Sequence, residues 1–205
     1  MKTSKSGIFI LTVLFAALMA GCGSSSPATT TDTAVSATTT TSGTTADAAW
    51  TPDGVITDGE YDGSFKNGDY ELYWSSDADT VYFGMRARTG GWVAVGFPPG
   101  RTMQDADIVI GYVDGGNAIV SDEFSTGIFG PHAPDTELGG TDDIIASGGS
   151  TDGDYTIIEF SRKITSNDEF DLSLVPGSNQ AIWSFGSSDD TGKQHVNRGY
   201  GEITL

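Results

Sequence analysis

The sequence predicts an all-β protein built as an antiparallel sandwich, and three observations predict it. Helical periodicity is nearly absent along the chain. Short runs rich in β-branched and aromatic residues recur instead between clusters of Gly, Asp and Asn, which is the spacing of sandwich strands and turns. One run alternates strictly: Val81, Phe83, Met85 and Ala87 fall on one face of a strand, Tyr82, Arg86 and Arg88 on the other.

The elements follow in order. Residues 1–22 read as an address and not as fold. Lys2 and Lys5 form a short basic region, and Ile8 to Ala20 is an apolar run too short for a membrane-spanning helix. The segment Leu18-Met19-Ala20-Gly21-Cys22 resembles the bacterial lipobox, which implies lipidation of Cys22; it departs from that pattern in carrying Met19 where the motif usually has Leu. From Gly23 to Ala49, 15 of 27 residues are Ser or Thr, so this stretch has too little apolar surface to offset its ordering entropy and reads as a disordered tether. Residues 50–205 form one domain. Its expected strands are Tyr70–Ser75, Thr80–Arg88, Gly91–Phe97, Asp107–Val113, Ala118–Ser125, Tyr155–Arg162, Ala181–Phe185 and Gly201–Leu205, with Tyr61–Phe65 as a short edge strand. Thr89-Gly90-Gly91 is expected to close a tight hairpin between the second and third of these. The stretch from Gly127 to Gly153 reads as a long excursion, and Arg162 to Asp171 as one helical turn or a polar loop.

Composition excludes several functions. The net charge is −18, and all but two of the 28 acidic residues lie in 50–205 (Asp32 and Asp47 are outside). Such a field repels nucleic acid and favours basic partners. Cys22 is the only cysteine, so the mature domain has no disulfide, thiolate cluster or cysteine nucleophile. His132 and His195 lack metal-site spacing, no serine sits in a nucleophile elbow, and no Gly-rich phosphate loop opens a helix. The chain is therefore read as a non-enzyme with no catalytic residues. The acid pairs Asp142-Asp143, Asp152/Asp154 and Asp189-Asp190 do not match the calcium-loop pattern and read as turn caps, so calcium is not expected.

Two residues stand apart. Met103 follows Pro98-Pro99-Gly100-Arg101-Thr102 in a loop, and His195 lies in Gly192-Lys193-Gln194-His195-Val196-Asn197-Arg198-Gly199. Taken singly, a loop methionine reads as a plug at a core edge and such a histidine as a surface turn residue. Their setting changes the reading. Gly91-Trp92-Val93-Ala94-Val95-Gly96-Phe97, then Met103, then Asp105-Ala106-Asp107-Ile108-Val109-Ile110-Gly111 resembles the DOMON domain. The resemblance continues through Val120-Ser121-Asp122-Glu123-Phe124, Pro134-Asp135, Phe160-Ser161-Arg162-Lys163, Asp168 and Asp171 to Ala181-Ile182-Trp183-Ser184-Phe185-Gly186 and His195…Arg198-Gly199.

That resemblance implies an immunoglobulin-like β-sandwich of the DOMON type. The family's haem-binding members, such as the cytochrome domain of cellobiose dehydrogenase, hold b-type haem between a methionine and a late histidine. By position these are Met103 and His195, with Lys193 or His132 as alternative ligands and Trp92 beside the site. Val93, Val95, Phe97, Ile108, Ile110, Ile182 and Trp183 are available to line an apolar slot. Arg101 and Arg198 flank the ligands in sequence and suit the propionates, their bland role being surface ion pairs with the abundant acids. With no Cys-x-x-Cys-His, haem would be held non-covalently. Thioether and imidazole together would leave the iron no open position, which suits electron transfer. The implied function is a membrane-tethered b-type cytochrome domain relaying electrons outside the cytoplasmic membrane, its partner a basic redox protein or a membrane cytochrome. The implied location is the bacterial cell envelope, on the outer membrane in preference to the inner. The alternative is a non-haem DOMON module binding a carbohydrate through Trp50, Trp74, Trp92 and Tyr112, or serving as an interaction domain.

Overall fold

The computed structural model describes residues 50–205. The leader, Cys22 and the tether lie outside the described residues. Two antiparallel sheets face each other. The first has the order β1-β2-β3-β9-β8, from β1 (Gly63–Asn67), β2 (Tyr70–Ser76), β3 (Thr80–Ala87), β8 (Ile144–Asp152) and β9 (Tyr155–Lys163). The second has the order β11-β10-β4-β5-β6-β7, from β4 (Val93–Phe97), β5 (Ala106–Asp114), β6 (Asn117–Ser125), β7 (His132–Pro134), β10 (Ser178–Phe185) and β11 (Asn197–Thr204). Among the described residues the only helix is the four-residue α1 (Asp135–Leu138).

Alternation supplies the core. Val81, Phe83, Met85 and Ala87 of β3 are fully buried, as the pattern requires, and meet Val93, Val95 and Phe97 of β4 and Ala181, Trp183 and Phe185 of β10. Phe83 sits 5.1 Å from Phe160 and 5.3 Å from Phe97, and Tyr70 stacks on Trp183 at 4.8 Å while donating its hydroxyl hydrogen to the Ala94 carbonyl. Each such buried ring contributes about 1.5–3 kcal/mol relative to exposure.

Three expectations are corrected. Thr89-Gly90-Gly91 does not close a hairpin: β3 and β4 lie in different sheets, so this turn carries the chain across the sandwich. Thr89 holds the corner by donating from Oγ1 to the Gly186 carbonyl, and Thr156 Oγ1 lies 3.0 and 2.9 Å from the Thr89 and Gly91 carbonyls. The excursion from 127 to 153 is largely ordered, with β7, α1 and the nine-residue β8 inside it. β8 has no apolar alternation because it pairs at the sheet edge with β9, and its Gly148 passes so close to the Pro52 carbonyl that any side chain would collide. The last strand begins at Asn197, four residues before the expected Gly201, and pairs along its whole length with β10. After Lys163 the chain runs as a polar loop with no helical turn.

Candidate cofactor pocket

A sandwich sheet ordinarily turns polar residues outward, but the second sheet does not. On β4 and β5 the outward phase carries Ala94, Ile108 and Ile110, which with Trp92 and Ala106 form a second apolar cluster separate from the inter-sheet core. Met103, Tyr112 and Ile182 pack against it. Met103 thus folds onto the outside of the sheet and plugs nothing in the inner core. The expected slot-lining residues divide accordingly: Ile108, Ile110 and Ile182 face outward, whereas Val93, Val95, Phe97 and Trp183 belong to the inner core, with Val95 and Trp183 also edging the cavity.

Two loops rise over this face and enclose a cavity of about 620 Å³, within the range typical of cofactor sites. The first is the β4–β5 loop. It turns sharply at Met103, whose carbonyl accepts from the Ala106 amide at 3.0 Å, and Asp105 takes a left-handed conformation at φ 57° while its N–H donates to the Ser125 carbonyl. The second is the β10–β11 loop, closed by the Val196 amide donating to the Phe185 carbonyl. The Trp92 indole packs against Gly186, where a side chain would collide with it. Ile128, Phe129 and Tyr200 stand at the mouth, and Phe129 is 86% exposed.

All seven residues singled out from the sequence line this one cavity: Trp92, Arg101, Met103, His132, Lys193, His195 and Arg198. Their partners differ. Lys193 is held by Asp190 at 3.4 Å, and the His132 Nδ1 is engaged by the buried Glu123. His195 is half-buried without a carboxylate partner, and burial, then the charge of Arg198, holds its imidazole below the ordinary pKa, so that it stays neutral. Among the described residues neither arginine forms the surface ion pair that was its alternative role. Every other Lys or Arg among the described residues lies within 4 Å of a carboxylate; Arg101 and Arg198 do not. In so acidic a chain, the two uncompensated guanidiniums both border the apolar cavity. The site fits an amphipathic ligand with a flat apolar body, anionic edges and an atom that takes sulfur and imidazole nitrogen.

The four aromatics named for a sugar platform do not share one exposed face among the described residues: Tyr112 packs, partly buried, against the outer apolar cluster. Trp74 and Trp92 are buried, Trp74 donating its indole hydrogen to the Thr204 carbonyl, and Trp50 packs on Tyr82 across the other sheet. The sequence also gave no notice of Ile128, Phe129 and Tyr200, because single apolar residues in loops are common.

The DOMON domain family model matches residues 66–186, a span that includes Trp92, Arg101, Met103 and His132 and stops short of Lys193, His195 and Arg198. DBH-like monooxygenase protein 1 of Mus musculus is 32% identical over 143 residues, covering 67% of this chain and 22% of that protein. The Homo sapiens protein of the same name is 30% identical over 122 residues, covering 60% of this chain and 19% of its own length. The chain spans about a fifth of the length of these relatives. Among solved structures, the cytochrome b domain of pyranose dehydrogenase from Coprinopsis cinerea aligns with a TM-score of 0.47 at 18% identity, covering 65% of this chain and 74% of that one. The cytochrome domain of Myriococcum thermophilum cellobiose dehydrogenase aligns with a TM-score of 0.48 at 14% identity, covering 66% and 74%.

Proposed function

The chain belongs to the DOMON domain family, and on that premise we propose that it is a tethered b-type cytochrome domain, holding one non-covalent haem and relaying single electrons outside the cytoplasmic membrane. The observation that carries this reading is the convergence of Met103, His195 and the two unpaired arginines on one cavity with an apolar floor. These residues are 97 positions or fewer apart in sequence, yet they come from two separate loops and one strand.

Each residue has a distinct task in it. Met103 offers a thioether and His195 a neutral imidazole, the two donor types that would ligate the iron. Lys193 pairs with Asp190, which supports His195 over the lysine as the nitrogen ligand. His132 keeps its Nε2 free while Nδ1 meets Glu123, and the family's late-histidine position favours His195 over it. Arg101 and Arg198 supply the cations for two carboxylates without first having to break an internal ion pair. Ala94, Ile108, Ile110 and Ile182 form the dry floor, and Trp92, packed against Gly186, bounds one side. Haem held by these residues would supply one-electron exchange, and a methionine ligand would raise its potential. The reading gives the chain electron transfer and no catalysis of its own. The lipid anchor at Cys22 and an envelope location, preferably the outer membrane, complete the reading, and the acidic surface suits a basic redox partner.

The test is an absorption spectrum of the chain expressed with haem supplied. Sharp low-spin bands are expected on reduction, and Met103→Ala and His195→Ala should each shift the iron to high spin. A protein that stays colourless with haem in excess would overturn the reading. Glycan binding by that colourless protein, unaffected by Met103→Ala, would establish the carbohydrate module instead.

A further inference from the structure

The second sheet carries chemistry on its inner face as well. Asp107 on β5 is in the inward phase with Val109, opposite to Ile108 and Ile110, which floor the pocket. Asp122 on β6 is the register partner of Val109 and so points inward beside it. Asp171 arrives from the loop after β9, and Asp135 opens α1. All four are buried. One cation faces them: Arg162 of the opposite sheet, itself 1% exposed, lies 2.9 Å from Asp107 and 3.4 Å from Asp171.

Hydrogen bonds satisfy only part of this group. Asp107 Oδ2 accepts from the Leu172 amide, Asp122 Oδ2 from the Asp143 amide, and Asp171 Oδ2 from the Ser166 hydroxyl. The Oδ1 atoms of Asp107, Asp122 and Asp135 are buried with no partner. A buried carboxylate oxygen without a donor is costly, and three in one place are rarer still. One carboxylate oxygen each from Asp107, Asp122 and Asp171 lie within 4.8 Å of one another. Oxygens bound to a common calcium at about 2.3–2.6 Å are separated by no more than about 5 Å, so the spacing suits a shared ion.

We propose that Asp107, Asp122 and Asp171, with Asp135 beside them, bind one hard divalent cation of the calcium class inside this end of the sandwich. Four carboxylates face a single guanidinium, and a divalent ion reduces the surplus to one negative charge. Burial and mutual repulsion push Asp122 and Asp171 up to about 7 and Asp135 up to about 8, as expected for acids lacking a counter-charge. Of the acid pairs in the sequence, Asp152, Asp154, Asp189 and Asp190 are exposed, whereas Asp142 and Asp143 border this group, the Asp143 amide donating to Asp122. No short motif marks the site, because its ligands come from two strands, a helix start and a loop.

The experiment is a calorimetric calcium titration of the chelator-treated, haem-free chain near neutral pH in about 150 mM salt, with melting curves in parallel. One site per chain is expected, and calcium about a hundredfold above its dissociation constant should raise the melting temperature by roughly 5–10 °C. Asp122→Asn should weaken binding at least tenfold, with Asp171→Asn as the second variant should the first not fold, while the exposed Asp152→Asn leaves it unchanged. No binding by the unsubstituted chain at about 10 mM calcium, above the range of weak extracellular sites, overturns the proposal and leaves the acids sharing protons. Binding that survives both buried substitutions in folded protein also overturns it, since the ion would then sit on surface acids. Neither result depends on haem, so this site and the outer pocket stand or fall separately.

Discussion

Arg101 and Arg198 were legible only as neighbours of a methionine and a histidine, and their isolation from every carboxylate of the described residues became visible only in three dimensions. Charge pairing is a property of surfaces, and sequence order does not say which acid reaches which base. The same holds for His195. Its imidazole is held neutral first by burial and then by the positive charge of Arg198. Removing that charge makes protonation easier, so Arg198→Gln should raise the His195 titration midpoint toward the ordinary value, and burial should keep it somewhat below. Proton NMR of the haem-free protein reads this directly; an unchanged midpoint would take Arg198 out of the electrostatics of the ring. Asp107 stands within Asp105-Ala106-Asp107-Ile108-Val109, where the sequence alone points to no role for it. Its signal was its phase, an acid in the inward set of a strand, with Arg162 in the inward set of another.

Among the elements, β-rich runs between turn residues identified β2, β3, β4, β5, β6, β9 and β10 to within a few residues, with alternation plainest in β3, because each presents an apolar face to the inter-sheet core. β8 was hidden because edge pairing to β9 fixes it and its own side chains do not. The β3–β4 turn was misread since a Gly-Gly corner looks the same whether it returns to its own sheet or crosses to the other. β4 and β5 are the informative pair: they are apolar in both phases, one for the core and one for the pocket. The two faces should therefore respond differently to truncation. Phe160→Ala, in the core, is expected to cost about 3–5 kcal/mol in chemical denaturation. Ile182→Ser, on the outer face, should cost about 1 kcal/mol yet remove ligand binding in the pocket. Equal losses of stability would mean that the outer cluster is structural.

For the whole molecule, the buried acids set a pH dependence. Burial, with the repulsion of neighbouring acids, pushes Asp107 up to about 6 and Asp122, Asp171 and Asp135 to about 7, 7 and 8. The groups facing them are Arg162, Asp142, Asp143 and Asp168. The folded state binds more protons than the unfolded chain, whose aspartates titrate near 3.9, so stability falls as pH rises from about 4 through 8. Without divalent ions, urea midpoints should accordingly decline from pH 5 to pH 8, and Asp122→Asn should flatten the slope; a midpoint that rises over this interval would contradict the burial of these acids. The sequence by itself determined the sandwich class, most strands and seven of the residues that line the pocket, because strand patterning and motif order are local properties of the chain. Only the tertiary structure decided that the pocket lies outside the sheet, that its arginines are free, and that four distant aspartates meet inside it. Those facts depend on which faces two sheets turn to each other, and no local pattern encodes that.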